Sequence, residues 1–573
     1  MKKKSFSGAE IFCKTLIQSG AEEIFGYPGG SIIPLFDTLF RDFIGPNKLK
    51  NILVRHEQAA AFAADAFGRV TGKPGICIAT SGPGATNLVT GVANAMLDSS
   101  PMIAITGQVI APLLGSDAFQ EVDAVGIFMP IVKHSFFVDK AEKIEDAINA
   151  AFFLATNKRP GPIHLDITKN AFLEKCEFRG DKKFFLPKFS SQKIASKVDN
   201  SWINEFLQIL KKSKKPVSIL GHGILISKAK TEILEFLENS KIPAVSTLLG
   251  LSSIPNDHPN FISMLGMHGS VAANNAVHES DFLISIGCRF DDRIIGDFSN
   301  FAPKAKVAHF EIDIAELEKN IHVDLPILGN LKKNLRIINP KIKKLQLNFS
   351  NFWEKIKKWK NKFSSEKIIS KHQKKSKKKL LAAKVIQILA KETKGKAIVC
   401  SDVGQHQMLV AQFFPFKIFN SAIFSGGLGS MGAGLPMAIG AAVASSKKEI
   451  WCIAGDGGFQ MNSQELITIF VEKLPIKIII LNNSFLGMVR QWQELYCQKN
   501  YAATAMISPD FQKLAESANI PSFFANCEKD AVEAIKKSRK INGPVLLEFQ
   551  IDPEENVWPM VDPGKNLGET RIE

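Results

Sequence analysis

The sequence is short of cysteine, tyrosine, acidic charge and long apolar runs, and each shortage excludes a class of protein. Its 8 cysteines are scattered with no Cys-x-x-Cys, which argues against a disulfide framework and against a zinc site; they read as buried, reduced thiols. Apolar stretches such as 476–481 and 103–106 fall far short of the roughly 20 residues that cross a bilayer, so no membrane association is expected. The opening Met1-Lys2-Lys3-Lys4-Ser5-Phe6-Ser7-Gly8 does not lead into the apolar core of a signal peptide, and a cytoplasmic location is the expectation. Acidic residues number 56 against 72 basic ones, a net charge of +16. A nucleic-acid binder would cluster that charge and interleave it with aromatics. Here the lysines are spread along the chain, and 42 Phe beside 3 Tyr point to a codon bias, so no nucleic-acid partner is expected.

What is present is a globular composition, 45% hydrophobic and 22% charged, over 573 residues. At roughly 100–200 residues per domain, that length predicts about three or four units. Short β-rich runs alternate with helical patterns in three blocks, which predicts an α/β protein of three doubly wound parallel-sheet domains. The first block spans 1–180, with strands at 75–79 and 102–106. A lysine-rich stretch at 181–201 follows it. The second block spans 195–345, with strands at 217–220, 282–287 and 307–312. A lysine-rich segment at 346–380 reads as a solvated linker or an exposed helix. The third block spans 381–573, with strands at 397–401, 449–454 and 477–481, and no short-period repeat is visible.

The most informative segment starts at Gly455-Asp456-Gly457-Gly458, passes through a helix expected at about 462–472, and returns in a strand ending at Asn483. The strands of such a βαβ unit are parallel and usually adjacent, so Asp456 and Asn483 leave neighbouring carboxyl ends and can converge. A carboxylate and a carboxamide supply two hard oxygens, and Mg²⁺ completes its octahedral shell with phosphate and water. By itself Asp456-Gly457 reads equally well as a turn, and the Gly-x-Gly-x-x-Gly at Gly427–Gly432 as a nicotinamide-dinucleotide loop. Arg55-His56-Glu57-Gln58 follows a short strand at 51–54 and opens an alanine-rich helix. A glutamate there either interacts with the helix dipole or, in an apolar setting, shares a proton with a cofactor ring.

Together these motifs resemble the thiamine-diphosphate enzymes, whose cofactor motif opens with Gly-Asp-Gly and closes with Asn-Asn. The resemblance implies Mg²⁺ on Asp456, the Asn483 side chain and the main-chain oxygen of Phe485. It implies diphosphate contacts from Val403, Gly404, Gln405 and His406, with Gly457 and Gly458 beside them. Gly429 would meet the aminopyrimidine, Met431 would wedge the cofactor into its bent shape, and Met488 would lie against it. Glu57 would be the catalytic glutamate, flanked by the loops Tyr27-Pro28-Gly29-Gly30 and Ser81–Asn87, with Gly30 a catalytic-site residue.

Gly115–Glu121, Met267-His268-Gly269, Arg289–Arg293 and Leu486–Trp492 carry the resemblance, over essentially the whole chain, to the acetohydroxyacid synthases, also called acetolactate synthases. That resemblance implies Gln120 in the catalytic site and an FAD bound near Arg159, Gly221, Gly223, Leu265, Met267, His268, Asp292, Arg293 and Glu311. Arg293 would also reach a substrate carboxylate, and Trp492 would select the acceptor ketoacid. The implied activity decarboxylates pyruvate on thiamine diphosphate and transfers the hydroxyethyl unit to a second 2-ketoacid. The products are 2-acetolactate, or 2-aceto-2-hydroxybutyrate from 2-ketobutyrate, for valine, leucine and isoleucine synthesis, with FAD in a structural role. A homodimer with sites at the subunit interface and a small regulatory subunit are implied as well. Two motifs depart from the commoner family pattern: Ser484-Phe485 stands where a Gln-His pair more often follows the Asn doublet, and Asn330 where an Asp often stands.

Overall fold

The computed structural model describes residues 5–43, 48–180, 201–376, 379–445 and 447–573; the lysine-rich separator at 181–200 lies outside them. Aliphatic runs such as Ile476–Asn482, buried at every position, build the sheets. Strands covered on both faces read as continuous apolar runs and not as alternation.

Among the described residues there are three six-stranded sheets, each parallel throughout. In the first, the order across the sheet is Lys50–Leu53, Glu23–Gly26, Gly75–Ala79, Met102–Gln108, Pro162–Thr168, His134–Val138. In the third it is Ala422–Phe424, Ile398–Ser401, Ile450–Gly455, Ile476–Asn482, Val545–Gln550, Ser522–Ala525. Numbered within their own blocks, both sheets have the order 2-1-3-4-6-5. The central sheet runs Phe261–Met264, Ala244–Ser246, Pro216–Leu220, Phe282–Ile286, Lys306–Glu311, Leu325–Leu328, the doubly wound order 3-2-1-4-5-6. The α/β expectation therefore holds.

In such sheets ligands bind beyond the strand carboxyl ends where the winding direction reverses. In the central sheet that point lies between Pro216–Leu220 and Phe282–Ile286; in the third, between Ile398–Ser401 and Ile450–Gly455; in the first, between Glu23–Gly26 and Gly75–Ala79. The candidate residues follow these strands.

The first and third blocks join through the helices Glu57–Thr71 and Gly434–Ala444. The alanines at 59–64 let the helices approach so closely that a Cβ on Gly440 would stand 1.9 Å from the Ala63 carbonyl oxygen. Several elements differ from expectation. The helix expected at about 462–472 runs Glu465–Val471, and an additional short helix, Asp456–Gln460, precedes it; between them Asn462 turns its side-chain amide onto the Gly432 carbonyl at 2.8 Å. The lysine-rich segment holds helices Ser350–Lys362 and Ser365–Lys375, which bury Phe352, Ile356 and Ile369 and leave the lysines outside. Not every cysteine is buried: Cys497 is exposed, Cys176 and Cys527 are half-buried, and all the cysteines are free thiols. No helix among the described residues is long and apolar enough to cross a membrane.

Candidate active site

Asp456 opens a helix directly after strand Ile450–Gly455, and Asn483 follows the paired strand Ile476–Asn482, with Gly455 in register with Leu481. Both side chains are buried and line a small cavity of about 70 Å³ together with Gly404, Gln405, His406, Gly457, Gly458 and Phe485. Ser508 Oγ donates to Asp456 Oδ2 at 3.1 Å, Phe485 N–H donates to Asn483 Oδ1 at 3.0 Å, and Asn483 Nδ2 donates to Gln405 Oε1 at 3.4 Å. Burial, only partly offset by Ser508, raises the Asp456 carboxyl above its ordinary value. An oxygen-bound cation beside it reverses that cost.

The neighbouring residues fit a diphosphate. His406 keeps a buried Nε2 without a partner, and burial lowers its imidazole to about 4, so it stays neutral. A side chain on the neighbouring glycines would displace the polar groups beside it: a Cβ on Gly487 would stand 2.2 Å from Gln405 Oε1, and one on Gly458 would stand 1.9 Å from Asp402 Oδ2. Asp402, which the sequence reading passed over, is fully buried, and burial pushes it to about 6 against main-chain N–H donors from Val403 and 432–434. Its signal was its place immediately after strand Ile398–Ser401, at the reversal point of the third sheet.

A second cavity of about 1030 Å³ adjoins the first and shares Val403, Gly404, Met431, Met488 and Val489 with it. Arg159, Gly223, Leu265, Met267, His268, Arg293, Glu311, Gly429 and Trp492 also line it, whereas Gly221 and Asp292 do not. Gly221 instead packs beneath the wall, where a Cβ would stand 2.0 Å from the Gly287 carbonyl oxygen. Asp292 lies beside Arg293, its carboxylate 3.7 Å from Nε, with both side chains exposed. Glu311 accepts from the N–H groups of Ile312 and Asp313 at 2.8 and 3.2 Å, and burial raises its carboxyl. His268 carries a buried Nδ1 without a partner. The size of this cavity, its place at the reversal of the central sheet and its unpaired polar atom fit a dinucleotide. Asn330 also lines it, with its side chain capping helix Leu331–Ile342 through Lys333 N–H at 3.1 Å.

Glu57, Gly30 and Gln120 line neither cavity. They gather at the reversal point of the first sheet. Asn87 Nδ2 donates to Glu57 Oε2 at 3.0 Å, and Ser31, next to Gly30, pairs its hydroxyl with Thr80 at 3.0 Å. Gln120, at φ 60°, backs onto Gly82. Gly68 and Arg69, at the far end of the helix that Glu57 opens, do line the large cavity. Glu57 thus lies roughly 16 Å from Gly68 at 1.5 Å per residue, while its neighbour Gln58 accepts from Asn462 at 3.3 Å.

Comparison with known proteins is consistent along the chain. The profile described as "Thiamine pyrophosphate enzyme, N-terminal TPP binding domain" matches residues 6–127, the central-domain profile matches 203–338, and the "C-terminal TPP binding domain" profile matches 402–549. The chain is 44% identical to a protein of Methanocaldococcus jannaschii named "Probable acetolactate synthase large subunit", covering 98% of this chain and 94% of that one. It is 41% identical to the acetolactate synthase large subunit of Corynebacterium glutamicum (98% and 89% covered). It is 40% identical to the acetolactate synthase of Mycobacterium leprae (99% and 90% covered).

Proposed function

The chain belongs to the thiamine pyrophosphate enzymes and, within them, to the acetolactate synthase large subunits, and from that premise we propose how its own residues carry the reaction. The enzyme is a thiamine-diphosphate-dependent acetolactate synthase at the head of branched-chain amino-acid synthesis. The observation that carries the assignment of the site is the pairing of Asp456 and Asn483 at adjacent strand ends, around one cavity with Gln405 and His406.

In this reading Asp456, Asn483 and the Phe485 main chain hold Mg²⁺, and Gln405, His406, Gly457 and Gly458 hold the diphosphate. Gly429, Met431 and Met488 bracket the rings, since all three line the large cavity and both methionines line the small one as well. Thiamine diphosphate, when bound, supplies the carbon that attacks pyruvate and stabilises the charge left when CO₂ departs. Glu57 holds the proton at the far pyrimidine nitrogen, with Asn87 fixing the carboxylate, and Gln120 and Gly30 complete that wall. Arg293 receives a substrate carboxylate. Trp492 walls the acceptor pocket and favours 2-ketobutyrate over pyruvate as the second substrate, while FAD occupies the large cavity as a structural group.

Because Glu57, Gly30 and Gln120 line neither cavity of their own chain, this reading completes the site with a second copy of the chain. This supports a homodimer. The apolar surface beside Glu57 supports it too: Leu53, Met461 and Val471 are 41%, 53% and 57% exposed, and Phe119, next to Gln120, is 88% exposed. The names of two relatives, large subunits, support a small regulatory partner. No feature of the described residues argues for a membrane, and the cytoplasm fits a biosynthetic enzyme of small ketoacids. The test is to incubate the purified protein with pyruvate, thiamine diphosphate, Mg²⁺ and FAD, and to identify the product. Acetolactate is expected; acetate or acetyl phosphate with reduced flavin would overturn the reading.

A further inference from the structure

Gln491 is fully buried and takes no part in the site described above. Its Oε1 accepts from Gln405 Nε2 at 2.9 Å and from Val557 N–H at 2.8 Å, while its Nε2 donates to the Val557 carbonyl at 3.2 Å. A side-chain amide that pairs with both polar groups of one main-chain residue holds that residue as a strand neighbour would. Gln405 completes the joint. Its Nε2 also donates to the Glu555 carbonyl at 3.0 Å, and its Oε1 accepts from the metal-site residue Asn483 at 3.4 Å.

Downstream, the same segment reaches the central block. Val561 N–H donates to the Met267 carbonyl at 2.8 Å, and Trp558 and Met560 bury against Met267, with Trp492 packed on the same cluster. Met267 lines the large cavity and Gln405 the small one. Residues 555–561 therefore line the small cavity at Glu555 and contact a wall residue of the large one, Met267, and Gln491 joins their middle, Val557, to Gln405.

We propose that Gln491 is a positioning residue that clamps segment 555–561 onto Gln405 and thereby couples occupancy of the dinucleotide cavity to binding at the metal-and-diphosphate cavity. The proposal rests on the cofactor reading given above. A group filling the large cavity fixes Met267, and with it Met560 and Val561. A diphosphate in the small cavity fixes Gln405. Each favours the clamped arrangement, so each strengthens the other reciprocally. Without the Gln491 amide, Val557 N–H loses its partner, Gln405 keeps its bonds to Glu555 and Asn483 but loses its link to Val557, and the two ends of the segment respond more independently.

The experiment uses the full-length protein and its Gln491→Leu variant. Thiamine diphosphate with Mg²⁺ is titrated by tryptophan fluorescence with and without saturating FAD, and FAD retention is titrated with and without thiamine diphosphate. In the wild type FAD should tighten thiamine diphosphate binding at least about 5-fold, with the reciprocal effect equal; in Gln491→Leu both factors should fall below about 2-fold. Equal coupling in the two proteins, or none in the wild type, overturns the proposal. The readout is a ratio of affinities within one protein, so a uniform loss of stability does not move it. If Gln491→Leu shows no cooperative unfolding, Met560→Ala, which cuts the path at the Met267 end, should give the same loss of coupling, and retained coupling there overturns it. A failure of the cofactor reading would show as a wild type that forms no acetolactate, whereas a failure of the clamp leaves acetolactate formation intact and the coupling unchanged.

Discussion

Asp98 Oδ1 accepts the Gly427 N–H at 2.7 Å, and its Oδ2 accepts both the Gly426 N–H, at 3.0 Å, and Arg69 Nη2, at 2.7 Å. One buried carboxylate of the first block thus holds the loop of the third block that carries Gly429 and Met431. Arg69, itself buried, also engages both oxygens of Asp65, at 2.7 and 2.9 Å, and donates to the Phe424 carbonyl at 2.6 Å.

Replacing Arg69 with Met should therefore destabilise the protein sharply. It leaves Asp65 and Asp98 as buried carboxylates without their cation, and breaking such a buried pair costs about 3–5 kcal/mol. Calorimetry should show a clear fall in the unfolding temperature; an unchanged one would mean that water or rearrangement satisfies the two carboxylates.

Glu57→Gln keeps the shape and the Asn87 contact but cannot exchange a proton. Turnover should drop by about 10²–10⁴-fold while thiamine diphosphate still binds. Acetolactate formation at the wild-type rate would remove Glu57 from its role.

Asp456→Ala deletes the carboxylate of one of the two side chains assigned to Mg²⁺. Cofactor binding at limiting Mg²⁺, followed by tryptophan fluorescence, should weaken strongly and recover only in part at high Mg²⁺. Identical affinity at every Mg²⁺ concentration would place the metal elsewhere.

Trp492 lines the large cavity beside Met488 and packs on Tyr496, with ring centroids 5.1 Å apart. In Trp492→Leu the ratio of acetohydroxybutyrate to acetolactate should fall by roughly 10-fold, the effect of about 1.4 kcal/mol in the second transition state, while turnover of pyruvate alone persists. A competition assay with both ketoacids reads the ratio directly. An unchanged ratio makes the tryptophan a packing element.

Glu555 is buried and accepts the N–H groups of Ala382 and Ala383 at 2.6 and 3.3 Å; burial outweighs those donors and pushes its carboxyl up to about 7. An acid that holds its proton more tightly in the folded state stabilises the fold when protonated. That contribution is complete below the unfolded value and is lost as pH rises through about 7. Glu555→Gln cannot ionise, so its unfolding temperature relative to the wild type should rise between about pH 5 and about pH 8. A difference that stays constant with pH would show that Glu555 does not titrate in the folded protein.

The α/β class, most of the strands and the single-residue landmarks were legible in the sequence, because they depend on local terms. Continuous aliphatic runs such as 476–482 become strands buried on both faces, and the Gly-Asp-Gly turn at 455–457 directly ends one of them. What the sequence could not determine rests on contacts between residues far apart along the chain. The short helix Asp456–Gln460 is set off from Glu465–Val471 where Asn462 finds the Gly432 carbonyl, and the first and third sheets share an order that no repeat in the residues betrays. Asp402, Gln491 and Glu555 became candidates only when folding took them from water and brought their partners to them. The place of Glu57, Gly30 and Gln120 outside both cavities is likewise a tertiary fact, because the packing of the sheets, and not the motifs themselves, decides which strand ends meet.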